Sequence, residues 1–305
     1  MQRILVTGAS GFVGRYCLPQ LVASGWEVHA VSSGAGVPVS EGAMWHQADL
    51  LDSANAERIM AQTRPSHLLH LAWCTTPGRF WHDEQNLAWV EASVALLKAF
   101  HRVGGRRVIM VGTCAEYDST GGVCHETATP LRPNTTYGRS KHALHMNADA
   151  YCQTYKLSFA WARLFYMYGP HAHPQRFPGQ IIAALRRGEP APCSHGNQVR
   201  DYLYIDDVAT ALTQLVMSDL EGSINVASGF PIPLAMLLDG IAKRLDGEHL
   251  LQWGQVPTAE SEPRVLAANT QRIYDELGWR PEVRLDDGLT RLVDWWKRRH
   301  DDESA

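Results

Sequence analysis

The apolar positions of the chain come in short continuous runs separated by amphipathic stretches. Ile4-Leu5-Val6, Glu27 to Val31, Ser66 to Ala72, Arg107 to Gly112 and Ser158 to Leu164 read as strands. Between them lie helical patterns: the stretch from the glycines before Arg15 to about Ala23, closed by Gly25, then Asn86 to Val103, then Lys141 to Tyr155. Strands that alternate with helices predict an α/β fold, a parallel sheet covered on both faces.

After Tyr168-Gly169-Pro170 the texture changes. His171 to Pro192 is rich in Pro, His, Arg and Gly, as in a loop-bearing lobe. Tyr202 to Val216 and Ser223 to Ala227 then read as strand and helix returning to the sheet, and Pro231 onward alternates helix with loop as far as Trp296. The expected organisation is a dinucleotide-binding domain over 1–170, with 200–227 returning to it. A smaller C-terminal substrate-binding lobe takes 171–199 and 228–300, and 301–305 is a frayed tail.

Composition narrows the function classes. The 305 residues carry a net charge of −4 with no basic patch, which argues against nucleic acid as a partner. There is no long apolar run, and Met1-Gln2-Arg3 leads straight into a strand. The expectation is a soluble, cytoplasmic chain with no membrane partner and no export signal. Six scattered cysteines without a C-x-x-C pair suit reduced thiols. The 14 histidines show no paired ligand spacing; His142 and His145 share a helix face, where a surface or dimer-face role is expected and no metal.

Two motifs carry chemistry. Gly8-x-x-Gly11-x-x-Gly14 sits between the first strand and the first helix. Glycines let the backbone turn tightly and approach a pyrophosphate, which the helix N-terminus then meets with free N–H groups. The α/β fold is thus expected to be Rossmann-type, a doubly wound parallel sheet. The second strand ends in Val31-Ser32-Ser33-Gly34, without the acid that usually holds the ribose of NAD. That leaves room for a 2′-phosphate and favours NADP, with NAD as the alternative. Asp49-Leu50 holds the adenine ring or caps a helix. The second motif is Tyr137 and Lys141, four apart, on one face if the segment is helical. An ammonium beside a phenol lowers the phenol pKa and lets it move a proton near neutral pH.

At this point the chain resembles the extended short-chain dehydrogenase/reductase family, in its nucleotide-sugar epimerase/dehydratase/reductase branch. The matches run in order along almost the whole chain: Thr7 to Gly14, His70-Leu71-Ala72-Trp73, Asn86, Thr113-Cys114-Ala115-Glu116-Tyr117, Tyr137 to Lys141, Arg163 to Pro170, and Arg200 to Ala209. The resemblance implies that Tyr137 is the acid/base at the substrate oxygen. Lys141 would lower its pKa and hold the ribose hydroxyls, and Thr113 would bind the same oxygen. It implies cofactor contacts from Gly8, Ser10, Gly11, Phe12, Val13, Gly14, Ser32, Ser33, Asp49, Leu50, Leu71, Ala72, Trp73, Phe165 and Tyr166. It implies substrate contacts from Thr75, Arg79, Thr113, Cys114, Tyr166 and Arg200, with Arg200 on a nucleotide diphosphate. Trp81 and His82 join the expected sugar pocket, while Asp206 and Asp207 cap a helix or brace the sheet. Tyr166 replaces the family's usual Asn. Arg264 stands in for an Arg missing from Gln255 to Ser261. A homodimer through a four-helix bundle, built by the helices at Asn86–Val103 and Lys141–Tyr155, is likewise implied.

Three chemistries share that scaffold. A 4,6-dehydratase carries Asp-Glu directly after the catalytic Thr, where this chain has Cys114-Ala115; Glu116 comes one step late and is expected to face away on a strand. A 4-epimerase retains NAD and turns the keto sugar over. A 4-ketoreductase exchanges NADPH and needs only Thr113, Tyr137 and Lys141. The missing acid at Ser32 favours the reductase. The Gly112–Asp118 run, with Trp73 and Pro77-Gly78, resembles a subgroup of deoxysugar and surface-polysaccharide pathways, so the substrate expected is a nucleotide-linked 6-deoxy-4-keto-hexose. A non-catalytic dinucleotide sensor is the reading from another class; such proteins can lose the Tyr or the Lys, and this chain has both.

Overall fold

The computed structural model describes residues 2–34, 41–259 and 262–303. Seven parallel strands form its main sheet: β1 (Arg3–Thr7), β2 (Glu27–Ser32), β3 (Ala43–Gln47), β4 (His67–His70), β5 (Arg107–Thr113), β6 (Ser158–Leu164) and β7 (Gly222–Val226). Their order is β7-β6-β5-β4-β1-β2-β3. The chain leaves β1 toward β2 and β3, then crosses back to β4, so a crevice opens beyond the ends of β1 and β4. Thr7 lies in register with Val31 on one side and His70 on the other, which brings the strand ends level at that crevice.

The helices are α1 (Gly14–Ala23), α2 (Ser53–Thr63), α3 (Gln85–Arg102), α4 (Thr136–Tyr155), α5 (Gly179–Arg186), α6 (Ile205–Met217), α7 (Leu234–Lys243), α8 (Gln271–Glu276) and α9 (Leu285–Glu303). Successive strand residues point to opposite faces, and both faces are buried. Ile4, Val6, Ile109 and Ala160 pack into the core with α1 and α6. Leu5, Leu68, Val108 and Met110 pack into the core with α2, α3 and α4.

Several boundaries differ from the sequence reading. α4 starts at Thr136, five residues before Lys141, because the Thr135 hydroxyl accepts the Gly138 N–H at 3.0 Å and caps the helix. Tyr137 and Lys141 therefore do lie on one helix. β3 and α2 were not foreseen; β3 is a half-exposed edge strand whose pattern carries little apolar signal. The segment 171–192 contains α5, and α9 runs on to Glu303 where a frayed tail was expected; residues 304 and 305 of that tail lie outside the described residues.

A second, smaller sheet stands beyond the carboxyl ends of β5 and β6. Val199–Arg200 pairs with Val265–Ala268 in parallel and with Ile232–Pro233 antiparallel, and Val265–Ala268 also pairs with Val123–Cys124. Tyr166–Tyr168, just past β6, pairs in parallel with Tyr202–Tyr204. Gly222–Val226 then returns to the main sheet as its edge strand beside β6.

One buried cluster joins the two sheets. Gly112, Arg163 and Asn225 lie side by side across β5, β6 and β7. Arg163 donates from Nε to Glu116 at 2.9 Å, and both side chains are almost wholly buried. Glu116 also accepts from the Thr113 N–H at 2.8 Å and from Trp161 Nε1. Arg163 donates to the Tyr117 hydroxyl at 3.0 Å, and that hydroxyl donates to Asn225 Oδ1 at 2.7 Å. Asn225 in turn donates to the carbonyls of Cys124 and Asn269 in the smaller sheet's strands and loops. Breaking such a pair strands a charge away from water, at a cost of roughly 3–5 kcal/mol. Glu116→Gln is therefore expected to lower the unfolding free energy by about that amount. Urea denaturation checks it; a loss well under about 1 kcal/mol would show that the pair does not hold the sheets together.

Candidate active site

The crevice deepens into a cavity of about 740 Å³ between the main sheet and the smaller one. Its floor is the glycine loop. Gly8 has φ +65°, and a Cβ there would meet the Ala72 nitrogen at 2.7 Å; one on Gly14 would meet the Gly8 carbonyl at 2.5 Å. Only glycine lets the end of β1, the end of β4 and the start of α1 come this close. No side chain caps α1, and its first turn carries no acid. The helix thus offers an anion its free N–H groups and the positive end of its dipole. These features fit a dinucleotide whose pyrophosphate lies over Gly8 to Gly14.

Beside the loop, β2 ends in Ser32, whose hydroxyl lies 2.8 Å from the Ser10 hydroxyl. Ser33, Asp49 and Leu50 line the same end of the cavity. Asp49 accepts the Leu51 N–H at 3.0 Å in a local turn; the cap of α2 is Asp52. Behind the loop, His70 is buried between the Thr7 and Ser93 hydroxyls at 2.7 and 2.8 Å. Burial and the Lys141 charge bring its pKa down to about 3, so it is a neutral strut between strand and helix.

Thr113 closes β5 and lines the cavity together with Tyr137, and its hydroxyl accepts the Ala115 N–H at 3.2 Å. Tyr137 is boxed in by aromatic edges: Phe80 lies 5.1 Å and Trp81 5.7 Å from its ring, both near perpendicular. Its N–H donates to the Trp81 carbonyl at 3.1 Å. The loop that carries these rings is pinned by buried Asn86, which donates to the carbonyls of Phe80 and Asp83 and accepts from Trp73 Nε1 at 2.8 Å. Burial pushes the Tyr137 pKa well above its ordinary value, opposed by the Thr113 hydroxyl and the Arg176 charge.

In the free protein the Lys141 ammonium donates to the Val111 carbonyl at 2.8 Å and sits 3.8 Å over the Trp73 ring. A buried charge has lost its hydration, and burial brings Lys141 down to about 7, with Glu116 opposing.

On the substrate side, Cys114 lines the cavity with its thiol pushed up to about 12 by burial, so it is no nucleophile at neutral pH. Arg200 is buried, ion-paired with Glu262 at 2.7 Å and 5.6 Å from the Tyr166 ring. Tyr166 packs on Tyr202, and Phe165, Leu71, Ala72, Trp73, Thr75 and Trp81 complete the wall. Phe12, Val13 and Gly11 line the loop side.

Three expected contacts lie elsewhere. Arg79 is exposed and 3.9 Å from Asp83, one helical turn on in sequence; His82, in the same exposed stretch, is outside the cavity lining. Arg264 is exposed, and its carbonyl accepts from Val199 within the smaller sheet, which sends the side chain outward. An arginine that enters besides Arg200 is Arg176, which reaches from the segment before α5, donates to the Thr75 carbonyl at 2.6 Å and lies 5.7 Å from the Phe80 ring. No motif marks it; the chain brings it back from 101 residues away.

Other expectations also shift. Glu116 faces away from the cavity, but through a 3-10 turn over Cys114–Glu116 and not by strand alternation. His145 does not mark a surface; it stacks on Trp161 with ring centroids 4.9 Å apart, behind the Arg163 pair. Glu116, His142 and His145 approach one another at metal-ligand spacing, yet the Arg163 guanidinium bonds two of the three. Asp207 accepts the N–H groups of Glu282 and Val283 and so braces the chain leading into α9. Among the described residues no helix is long and apolar enough to cross a membrane.

Comparison with known proteins agrees with this geometry. The model of the family described as "NAD dependent epimerase/dehydratase family" matches residues 4–227. A dTDP-glucose 4,6-dehydratase of Xanthomonas campestris pv. campestris is 28% identical, over 96% of this chain and 92% of the relative. A UDP-glucose 4-epimerase of Lacticaseibacillus casei is 24% identical, over 97% of each. The crystal structure of Thermus thermophilus UDP-glucose 4-epimerase in complex with NAD superposes with a TM-score of 0.85 at 26% identity, over 97% of this chain and 99% of that one.

The Lys141 environment has a measurable sign. Its pKa falls from 10.5 in the unfolded chain to about 7 in the fold, so the unfolded state binds the extra proton between those values. Stability contributed at this position therefore rises with pH across that window and is poorest below it. Lys141→Met, which removes the buried charge, is expected to melt no lower than the parent protein at a pH below that window. Its advantage should shrink as the pH climbs. Thermal melts over a pH series check this; a variant that is clearly less stable in acid would refute the reading.

Proposed function

The chain belongs to the NAD dependent epimerase/dehydratase family, an extended short-chain dehydrogenase/reductase group acting on nucleotide sugars, and on that premise we propose that it is an NADP-dependent 4-ketoreductase. Its substrate on this reading is a nucleotide-linked 6-deoxy-4-keto-hexose of deoxysugar or surface-polysaccharide synthesis. One observation carries the choice: β2 ends in Ser32 bonded to Ser10, and no carboxylate stands at the end of that strand among the described residues. The cavity supports it on the sugar side. Asp49 and Glu262 are the carboxylates among its described lining residues, one at the adenosine end and one paired with Arg200. Neither stands beside Tyr137 to remove a C5 proton, as an elimination requires.

The residues divide the work as follows. Gly8 to Gly14 and the start of α1 hold the pyrophosphate of the cofactor, and Lys141 and Tyr137 hold the ribose nearer the reaction. When bound, the reduced nicotinamide supplies the hydride for C4. Thr113 positions the substrate oxygen, and Tyr137 gives that oxygen its phenolic proton as the C4 carbonyl becomes an alcohol. A phenol with a raised pKa is protonated at neutral pH and ready to serve as that acid. Phe80 and Trp81 exclude water from the transfer, and Arg200 binds the substrate diphosphate once Glu262 yields to it. We also read the outer face of α3 and α4, which exposes Leu87, Met146 and Tyr155, as the homodimer surface, giving a four-helix bundle. Sedimentation or light scattering tests that part.

A second reading is an NAD-dependent 4-epimerase. It is favoured by the likeness to the UDP-glucose 4-epimerases of Lacticaseibacillus casei and Thermus thermophilus, the latter solved with NAD. Mass spectrometry of the protein as purified separates the two: tightly retained NAD, with no oxidation of NADPH by a 4-keto substrate, would establish the epimerase instead. Tyr137→Phe is expected to bind nucleotide normally and to lose about 10²–10⁴-fold in turnover; near-normal turnover would sink both. The direction of chemistry also shows in pH. Reduction draws on protonated Tyr137 and should stay flat through neutral pH into the alkaline range, whereas sugar oxidation, the first half of epimerisation, needs the phenolate and should quicken as pH rises.

A further inference from the structure

A second cavity of about 1150 Å³ borders the first, sharing Ser10, Ser33 and Asp49 with it at the glycine-loop end and Thr75, Pro77 and Arg176 at the other. Its wall is cationic. Arg15 enters from the first turn of α1, Arg298 and Arg299 from the far end of α9, and Asp49 is the one carboxylate among the described lining residues. Arg15 reaches the Ser10 carbonyl with one terminal nitrogen at 3.5 Å, while its Nε is buried with no hydrogen-bond partner among the described residues. A buried guanidinium N–H without an acceptor is costly and marks a place where an acceptor is due.

α9 is fastened where its arginines can share that acceptor. Trp295 packs against His171 at 4.9 Å, and Arg299 lies 5.5 Å from the Trp295 ring. His171 in turn contacts Tyr16, whose hydroxyl donates to the Pro170 carbonyl at 3.0 Å. His171 thus stands between α1 and α9. It is held below its ordinary pKa by burial first, and then by the charges of Arg15 and Arg299.

We propose that Arg15, together with Arg298 and Arg299 of α9, forms the subsite for the 2′-phosphate of NADP, an inference that rests on the NADP-dependent reading above. The Ser10–Ser32 pair lies at the strand end where the ribose hydroxyls are met in this fold class. A dianion at that point needs several N–H donors and net positive charge. Three arginines, one with an open N–H, supply them, and the fork of a guanidinium suits phosphate oxygens. The Ser32 and Ser33 hydroxyls add neutral donors without repelling it. The subsite is assembled from residues far apart in sequence, so no local motif reveals it.

Binding of small probes to the whole protein tests this without any sugar substrate. In calorimetry or by competition, 2′,5′-ADP is expected to bind at least about tenfold more tightly than 5′-AMP, with inorganic phosphate far weaker than either. Arg15→Gln should cost 2′,5′-ADP and NADPH about 10–100-fold, the range for a charge-assisted hydrogen bond, while 5′-AMP and NADH change little. The pair Arg298→Gln with Arg299→Gln should act in the same direction and leaves α1 untouched, which covers a folding defect in the first variant. Equal affinity for 2′,5′-ADP and 5′-AMP in the parent protein, or equal losses of NADH and NADPH in the variants, would overturn the subsite. If the 2′,5′-ADP preference holds but no 4-keto sugar is reduced, the subsite stands and the proposed reaction falls. If NADPH supports reduction and all three arginine changes are silent, the reverse is true.

Discussion

The ion pair of Glu116 and Arg163 is the constraint on which the rest of the structure depends. It lies directly beneath the Thr113 end of β5. Because Glu116 accepts the Thr113 N–H, the position of the Thr113 hydroxyl is set by a carboxylate that never sees the cavity. Because Arg163 also binds the Tyr117 hydroxyl, and Tyr117 binds Asn225, the same pair fixes the edge strand of the main sheet and the start of the smaller one. The space for it is made by Gly112, where a Cβ would lie 2.2 Å from Trp161 Nε1. Charges this deep are stable only when every donor and acceptor is matched, and here the Glu116 oxygens meet a guanidinium, an indole and a backbone N–H. The acid that the sequence places near Thr113 is thereby committed to architecture.

The site itself is a study in removing water from charge. Phe80 and Trp81 close on Tyr137, and the loop that carries them is tied down by one buried amide, that of Asn86. Lys141 rests its ammonium on an indole face and a carbonyl. A cation on an aromatic face is stabilised by the ring quadrupole, but not by as much as water would do, hence the depressed pKa. In the free protein the Tyr and the Lys are therefore two separately desolvated groups on one helix. Contact of both with one bound ribose would make them a pair.

Much of the architecture was legible in the sequence. The β-type runs and the glycine loop depend on local residues, and the structure puts strands and a tight turn there. What escaped depends on distance along the chain. β3 is an edge strand with one half-wet face, and α2 has no strong apolar stripe to announce it. The α4 boundary turned on a Thr135 cap that competes with no visible alternative in the sequence. Arg79 and Arg264 were chosen for nearness to motifs, yet a side chain's direction is set by its own turn or strand, and both point to solvent. Arg176 and Arg15 carry no motif of their own; they matter through what tertiary packing brings beside them.

The docking of α9 has a consequence for how the molecule is made. Trp296 is buried, its carbonyl accepts from Arg186 of α5, and Trp295 leans on His171 beside α1. Strands and helices from the first third of the chain can associate as they leave the ribosome, but the wall beside their glycine loop is supplied by residues near position 298. The crevice beside the glycine loop therefore stays unfinished until α9 has been synthesised and has folded back beside α1.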